Sequence, residues 1–300
     1  MDSLISTLDE SDCDALLRRA EALVAKGECC PFRCGIDRRQ NKVPCGGRYG
    51  EIQVASFHPH RGEEPPVSGT MGAGNIFFSG CTLSCVFCQN YPFSHLHNGE
   101  IFSYEQFREK IFSLIAKGVH NLNLTTFDHN IYPVLAALLP VRKKIRIPIA
   151  NNCAGFFTKE TLEIALSFCD IFLYDVKYAD ETIAQRYSRR KEYVGHCWEG
   201  IAYLASRMIP FIEEDSLLKR GVIFRHLVLP GAIDNSLSIL NRLSRFRDAG
   251  FDFRISIMSQ YFPAHRAGEF PEINRRLAAD EYGIVCDRLD ELGFEGWTQE

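Results

Sequence analysis

From Asn75 onward, short apolar segments alternate with amphipathic ones, and few architectures accept that pattern. The spacing predicts strands over 75–79, 121–125, 145–150, 171–176, 222–229 and 253–258. Helices are predicted over 103–118, 131–139, 158–168, 179–208 with a break near Gly195, 236–249 and 278–292. Ser103 with Gln106 three residues on is a capping box. Phe107, Ile111, Leu114 and Ile115 form the apolar stripe of that helix, and Gly118, Gly250 and Gly293 stop three of the helices. Six strand–helix repeats imply an α/β fold with a parallel sheet and right-handed crossovers. They are too few for a closed eight-strand barrel. In parallel barrels chemistry collects where strands end, and the polar, chemically capable residues of this chain follow its predicted strands.

The first such strand end is Gly80-Cys81-Thr82-Leu83-Ser84-Cys85-Val86-Phe87-Cys88. Thiolates are soft ligands suited to iron–sulfur clusters and zinc. Three of them leave one iron of a [4Fe–4S] cube without a protein ligand, open to a substrate or cofactor. The alternative is a zinc knuckle completed by His95 or His97, or buried free thiols. After the later strands come Thr126-Phe127-Asp128-His129, Asn151-Asn152-Cys153-Ala154-Gly155, Asp175-Val176-Lys177 and Ser259-Gln260-Tyr261. Asp175 and Lys177, two apart on a strand, share a face. Each has a plainer reading: Asp128 as a helix cap, Asn152 as a turn residue, Asp175–Lys177 as a structural ion pair. Arg225 and His226 point to opposite faces of the fifth strand, and His226 is a further weak candidate.

The C-x3-C-x-aromatic-C spacing resembles the signature of the radical S-adenosylmethionine (SAM) enzymes. That resemblance implies an α/β partial (β/α)6 barrel, with Cys81, Cys85 and Cys88 ligating a [4Fe–4S] cluster and Phe87 beside the adenine of SAM. In that family the reduced cluster cleaves SAM to a 5′-deoxyadenosyl radical, which takes a hydrogen atom from substrate. Carried over by position, Asp128 would accept from the SAM ammonium and Asn152 would contact the ribose or aminoacyl group. Lys177 would meet the carboxylate, with Asp175 fixing it or binding ribose. More closely, the chain resembles homologues of pyruvate formate-lyase activating enzyme that carry an N-terminal Cys-rich segment. The matching segments are Cys30-Pro31-Phe32-Arg33-Cys34-Gly35-Ile36, Gly62-Glu63-Glu64-Pro65-Pro66-Val67-Ser68-Gly69, Cys88-Gln89-Asn90, Arg225 to Gly231, Met258 to Tyr261, and Gly296-Trp297-Thr298-Gln299-Glu300. This implies installation of a glycyl radical on a partner enzyme, fed by a flavodoxin- or ferredoxin-type electron donor. The chain departs from true activating enzymes in having Gly72-Ala73-Gly74-Asn75-Ile76 where they carry Gly-Pro-Gly-x-Arg. Radical modification of another peptide or a small metabolite is the alternative, and a non-catalytic iron–sulfur or zinc protein is a second.

Cys29, Cys30, Cys34 and Cys45 form a second thiol group, able to hold zinc, a further iron–sulfur cluster, or nothing. Adjacent Glu63 and Glu64 precede two prolines, either in a functional loop or in a solvated turn. The expected organisation is a helix and Cys-rich extension over 1–69, a barrel core over 70–265, and a helix and tail over 266–300. With 34 basic and 38 acidic residues the net charge is −4 and no like-charge block appears. Nothing therefore points to nucleic acid or a membrane surface. Twelve cysteines, without a basic, apolar leader, suit thiols in a reducing cytoplasm better than a disulfide scaffold.

Overall fold

A computed structural model describes residues 1–298. Gln299 and Glu300 of the C-terminal match lie outside the described residues. Ten strands join in one sheet: β1 (Ile52–His60), β2 (Ala73–Phe78), β3 (Glu100–Phe102), β4 (Leu122–Thr125), β5 (Ile149–Cys153), β6 (Ile171–Asp175), β7 (Ile212–Glu214), β8 (Leu217–Leu227), β9 (Arg254–Met258) and β10 (Gly296–Thr298). The helices of two turns or more are α1 (Glu10–Lys26), α2 (Tyr104–Ala116), α3 (Ile131–Leu138), α4 (Lys159–Leu166), α5 (Glu181–Ser188), α6 (Tyr193–Ser206), α7 (Ile233–Asp248) and α8 (Ala279–Glu291).

Along the sheet the order is β10-β9-β8-β6-β5-β4-β2-β1-β3, with β7 paired to β8. Along that order every neighbour from β2 to β10 is parallel, each strand adding beside the preceding parallel one, while β7 runs antiparallel to β8. Winding in one direction with right-handed crossovers puts the helices on one face and frees the other as a barrel interior. Among the described residues the sheet's two ends do not pair, so the barrel is open.

Residues paired across the parallel ladder share a face. One register joins Ile76, Leu124, Asn151, Phe172 and Val222, and its apolar members belong to the larger core shared with the helices. The alternate register turns Ala150, Ile171, Leu173 and Ile223 inward, where Val67 from the loop before β2 packs among them. That loop plugs the barrel: Asn121 Nδ2 donates to Val67 O at 2.7 Å.

Four features differ from the sequence expectation. Strand β1, inside the stretch expected to be an extension, pairs antiparallel with β2 and β3. Its Pro59 has no N–H, and is tolerated because β3 pairs only with Ile52–Val54 and leaves that end of β1 free on one side. Strand β5 starts at Ile149 rather than at 145, so Asn151 and Asn152 lie in the strand and not in the turn after it. Pairing with β4 and β6 overrides the turn preference of asparagine. The break after α5 falls at Arg189, which is left-handed at φ 56°, while Gly195 sits within α6. The tail adds β10 beside β9. Among the described residues no helix is long and apolar enough to cross a membrane.

Candidate active site at the strand ends

The cysteine loop leaves β2 through Ser79 and Gly80. Ser79 is buried and donates to Asn98 O at 2.7 Å; Gly80 N donates to Phe93 O at 2.8 Å. Leu83 and Val86 anchor the loop in the core. Val86 N donates to Tyr187 O, and Arg266 N donates to Val86 O, both at 2.8 Å. The loop is thereby held from both sides while Cys81, Cys85 and Cys88 line one cavity of about 400 Å³. Cys85 Sγ lies 3.0 Å from Ser188 Oγ and Cys88 Sγ 3.1 Å from Ser94 Oγ. Burial pushes the Cys81 thiol up to about 12 and the Cys85 thiol up to about 11, so metal binding must displace their protons.

Lys177 faces the same cavity. Burial would lower its affinity for a proton, but Asp175, followed by the Cys85 and Cys81 thiols, more than offsets this and holds it above the usual lysine value. Its Nζ is 2.5 Å from Asp175 Oδ2. Tyr193 fixes the pair: its hydroxyl accepts from Lys177 N at 3.0 Å and donates to Asp175 O at 2.9 Å. Asn152 reaches the cavity from the inner face of β5. The Phe87 ring lines it too, held edge-on by Tyr187 and Tyr261 with centroids 6.4 and 6.0 Å away.

Two expected candidates lie elsewhere. Asp128 is buried outside the cavity lining, in the short helical turn before α3 and beside Asn151, which points to the helix side of the sheet. Burial pushes its carboxyl up to about 7, with its own amide and that of Asn151 opposing. The folded chain therefore keeps a proton that the unfolded chain releases from about pH 4 upward, so this group's contribution to stability falls as pH rises to about 7. Asp128→Asn should flatten that fall and stabilise the protein at pH 8 by about 2–4 kcal/mol. Urea unfolding at pH 5 and 8 measures it, and an unchanged slope would mean the carboxyl is already ionised in the fold. His226 packs on the helix side. Its Nδ1 is 2.7 Å from Val176 O and its Nε2 2.8 Å from Ser236 Oγ, and burial pushes it down to about 4.

The barrel interior holds a charged group that the sequence pattern did not assign a role. Arg225 enters the cavity, with Nη1 3.2 Å from Glu63 Oε2 and Nε 3.2 Å from Glu64 Oε1. Glu63 Oε1 accepts from Asn75 and Asn123 Nδ2 at 2.8 and 3.0 Å. Asn75 and Asn123 pair across β2 and β4; an asparagine inside each of two otherwise apolar strands was the available signal. A larger hollow of about 600 Å³, lined by Arg61, His120 and Trp297, contains no cysteine.

Cys29, Cys30, Cys34 and Cys45 do not line the cavity. His95 stacks on His265 at 4.7 Å. Among the described residues no three His, Cys, Asp or Glu side chains close on a point that one metal ion would fill. Three soft thiols on one cavity, with the half-buried Lys177 lining it too, are a donor set that fits a [4Fe–4S] cluster with one open iron.

Residues 75–243 match the profile of the Radical SAM superfamily. The chain belongs to that superfamily. Membership implies a [4Fe–4S] cluster and SAM. An uncharacterized protein of Methanocaldococcus jannaschii is 27% identical over 277 residues, spanning 89% of this chain and 75% of the relative. A radical SAM methyltransferase from Sphaerobacter thermophilus has a similar fold, with a TM-score of 0.52 and 11% identity over 75% of this chain. The match spans 65% of that protein's length, so the likeness concerns the fold alone.

Proposed function

We propose that the chain cleaves SAM reductively and uses the resulting 5′-deoxyadenosyl radical to take a hydrogen atom from a polypeptide, with a glycyl-radical enzyme as the first candidate. The observation that carries this reading is the convergence of Cys81, Cys85, Cys88 and the Asp175–Lys177 pair on one cavity at the strand ends. When bound, a [4Fe–4S] cluster on the three thiolates supplies the electron that breaks the sulfonium bond of SAM. The protein's part is to bind and orient. Lys177 donates to the SAM carboxylate, with Asp175 holding its ammonium in place. Asn152 contacts the ribose or aminoacyl end, and the Phe87 ring flanks the adenine. A flavodoxin- or ferredoxin-type protein is the proposed one-electron donor.

A polypeptide hydrogen donor is favoured by the resemblance of the segments around Cys30, Gly62 and Cys88 to the activating-enzyme homologues. Gln89 Nε2 donates to Gln260 O at 3.0 Å and ties together two loops. A small metabolite is the second reading.

The test is anaerobic reconstitution with iron and sulfide, then dithionite and SAM, followed by quantitation of 5′-deoxyadenosine. No product from protein with full cluster content would reject the reading. Deuterium transfer into 5′-deoxyadenosine from labelled proteins or metabolites then identifies the donor. Lys177→Met should leave cluster iron intact yet weaken SAM binding about 10- to 100-fold, since a charge-assisted hydrogen bond contributes about 1.5–3 kcal/mol. Equilibrium dialysis of the reconstituted variant measures this, and a change below about twofold would remove Lys177 from the SAM site.

A further inference from the structure

Beside the N-terminal thiols lies a buried cation that has no carboxylate partner among the described residues. Arg38 is 4% exposed, and among the described residues no Asp or Glu forms an ion pair with it. Its Nη2 is 3.5 Å from Cys45 Sγ, and its Nη1 donates to His129 O. Its Nε is buried without a partner. The titratable groups around it are the thiols of Cys29, Cys30, Cys34 and Cys45, with the His129 imidazole beside them. A buried guanidinium needs a counter-ion. Neutral thiols are poor ones. Four thiolates on a divalent ion, or on an iron–sulfur cube, carry a net negative charge and would supply it.

The backbone around these thiols is held tightly. Gly27 ends α1 in the left-handed conformation, and a Cβ there would sit 2.9 Å from Cys34 Sγ. Thr161 Oγ1 donates to Cys29 O at 2.9 Å, and Thr158 Oγ1 to Glu28 O at 3.2 Å, fastening the segment to the start of α4. At the other end, Gly46 packs against Gly80, the residue before Cys81. The thiols do not yet surround one point, so binding requires their side chains to turn towards each other while this backbone stays fixed.

We propose that Cys29, Cys30, Cys34 and Cys45 form a second, thiolate metal site, separate from the SAM cavity, with Arg38 as its buried counter-ion and N–H···S donor. Its ligand is a thiophilic metal, either one zinc ion or an iron–sulfur cluster. Arg38 is a positioning residue that steadies the bound thiolates.

The test begins with the Cys81→Ala/Cys85→Ala/Cys88→Ala protein, which lacks the SAM-site ligands. It is purified without oxygen and offered zinc alone, or iron with sulfide. Retention of about one zinc, or about four iron with matching sulfide, supports the site and identifies the metal. Further replacement of Cys29, Cys30, Cys34 and Cys45 by serine should abolish that retention. A folded triple variant that holds neither metal overturns the proposal. If the triple variant fails to fold, the four serine substitutions in the otherwise native holoprotein decide the matter. Loss of one metal equivalent, with the SAM-site iron retained, supports the site, and unchanged metal content overturns it. Arg38→Met should speed metal loss to a chelator about 10- to 100-fold without changing the circular dichroism, and Arg38→Lys should restore part of the retention. Equal loss rates in all three proteins would refute the role of Arg38.

Discussion

Cys81→Ala is expected to lose the SAM-site cluster and, with it, SAM cleavage. The thiol lies on the cavity wall with Cys85 and Cys88. Of the carboxylates on that cavity, Asp175 is paired with Lys177 and Glu63 with Arg225. Two thiolates do not retain a cube whose fourth iron is already open. Formation of 5′-deoxyadenosine should fall at least about a thousandfold, equivalent to about 4 kcal/mol of transition-state stabilisation. Iron and sulfide analysis together with product quantitation checks both halves. The control is Cys153→Ala. Cys153 is the more deeply buried of the two, but it lies on the helix face of β5 with its thiol 3.7 Å from Leu173 O. That change should cost about 1 kcal/mol in packing and leave the iron in place. Equal iron loss in both variants would mean that cluster content follows fold stability rather than ligation. Full cluster content and SAM cleavage in the Cys81 variant would remove Cys81 from the ligand set.

The difference between these two cysteines shows where sequence reading works and where it stops. The strand–helix alternation was legible because each unit announces itself locally: an apolar run, a cap such as Ser103 with Gln106, a stopping glycine such as Gly118. The cysteine loop was legible because three soft ligands within nine residues have few other uses. Strand β1 was not, because histidines and Pro59 interrupt its alternation and its pairing is supplied by β2 and β3. Asp128 follows β4 as a cavity residue would, yet its carboxyl is buried beside Asn151, because position after a strand does not say which side of the sheet a side chain takes. The Glu63–Arg225–Glu64 group joins the loop before β2 to strand β8, on the far side of most of the barrel sequence. A contact between segments so distant in the chain leaves no local periodicity to detect. Arg38 among its four thiols is a similar case, since nothing near residue 38 marks it as buried.

Gly80→Ala should damage the same site without touching a ligand. Gly80 has a positive φ of 90°, a conformation costly for alanine. Steric overlap adds more than this backbone cost. An added Cβ would overlap the Cys45 carbonyl oxygen, and it would sit 2.9 Å from that carbonyl's carbon and 3.1 Å from Gly46 Cα. These are backbone atoms, which cannot rotate aside as a side chain would. Either the Cys45–Gly46 segment moves off the end of β2, or Gly80 moves and carries Cys81 with it. The expected cost is above about 3 kcal/mol in urea unfolding, with a matching drop in reconstituted cluster iron. Gly195→Ala makes the same chemical change in the opposite context: Gly195 lies inside α6 with nothing within 4 Å of the new methyl group. There the substitution should stabilise the protein by about 0.5–1 kcal/mol through helix propensity. If the two variants unfold alike and hold the same iron, the close approach of the N-terminal cysteine segment to the Cys81–Cys88 loop is wrong. If Gly80→Ala alone loses iron, the segment carrying Cys45 is a wall of the SAM-cluster site, and the geometry of Cys81 depends on it.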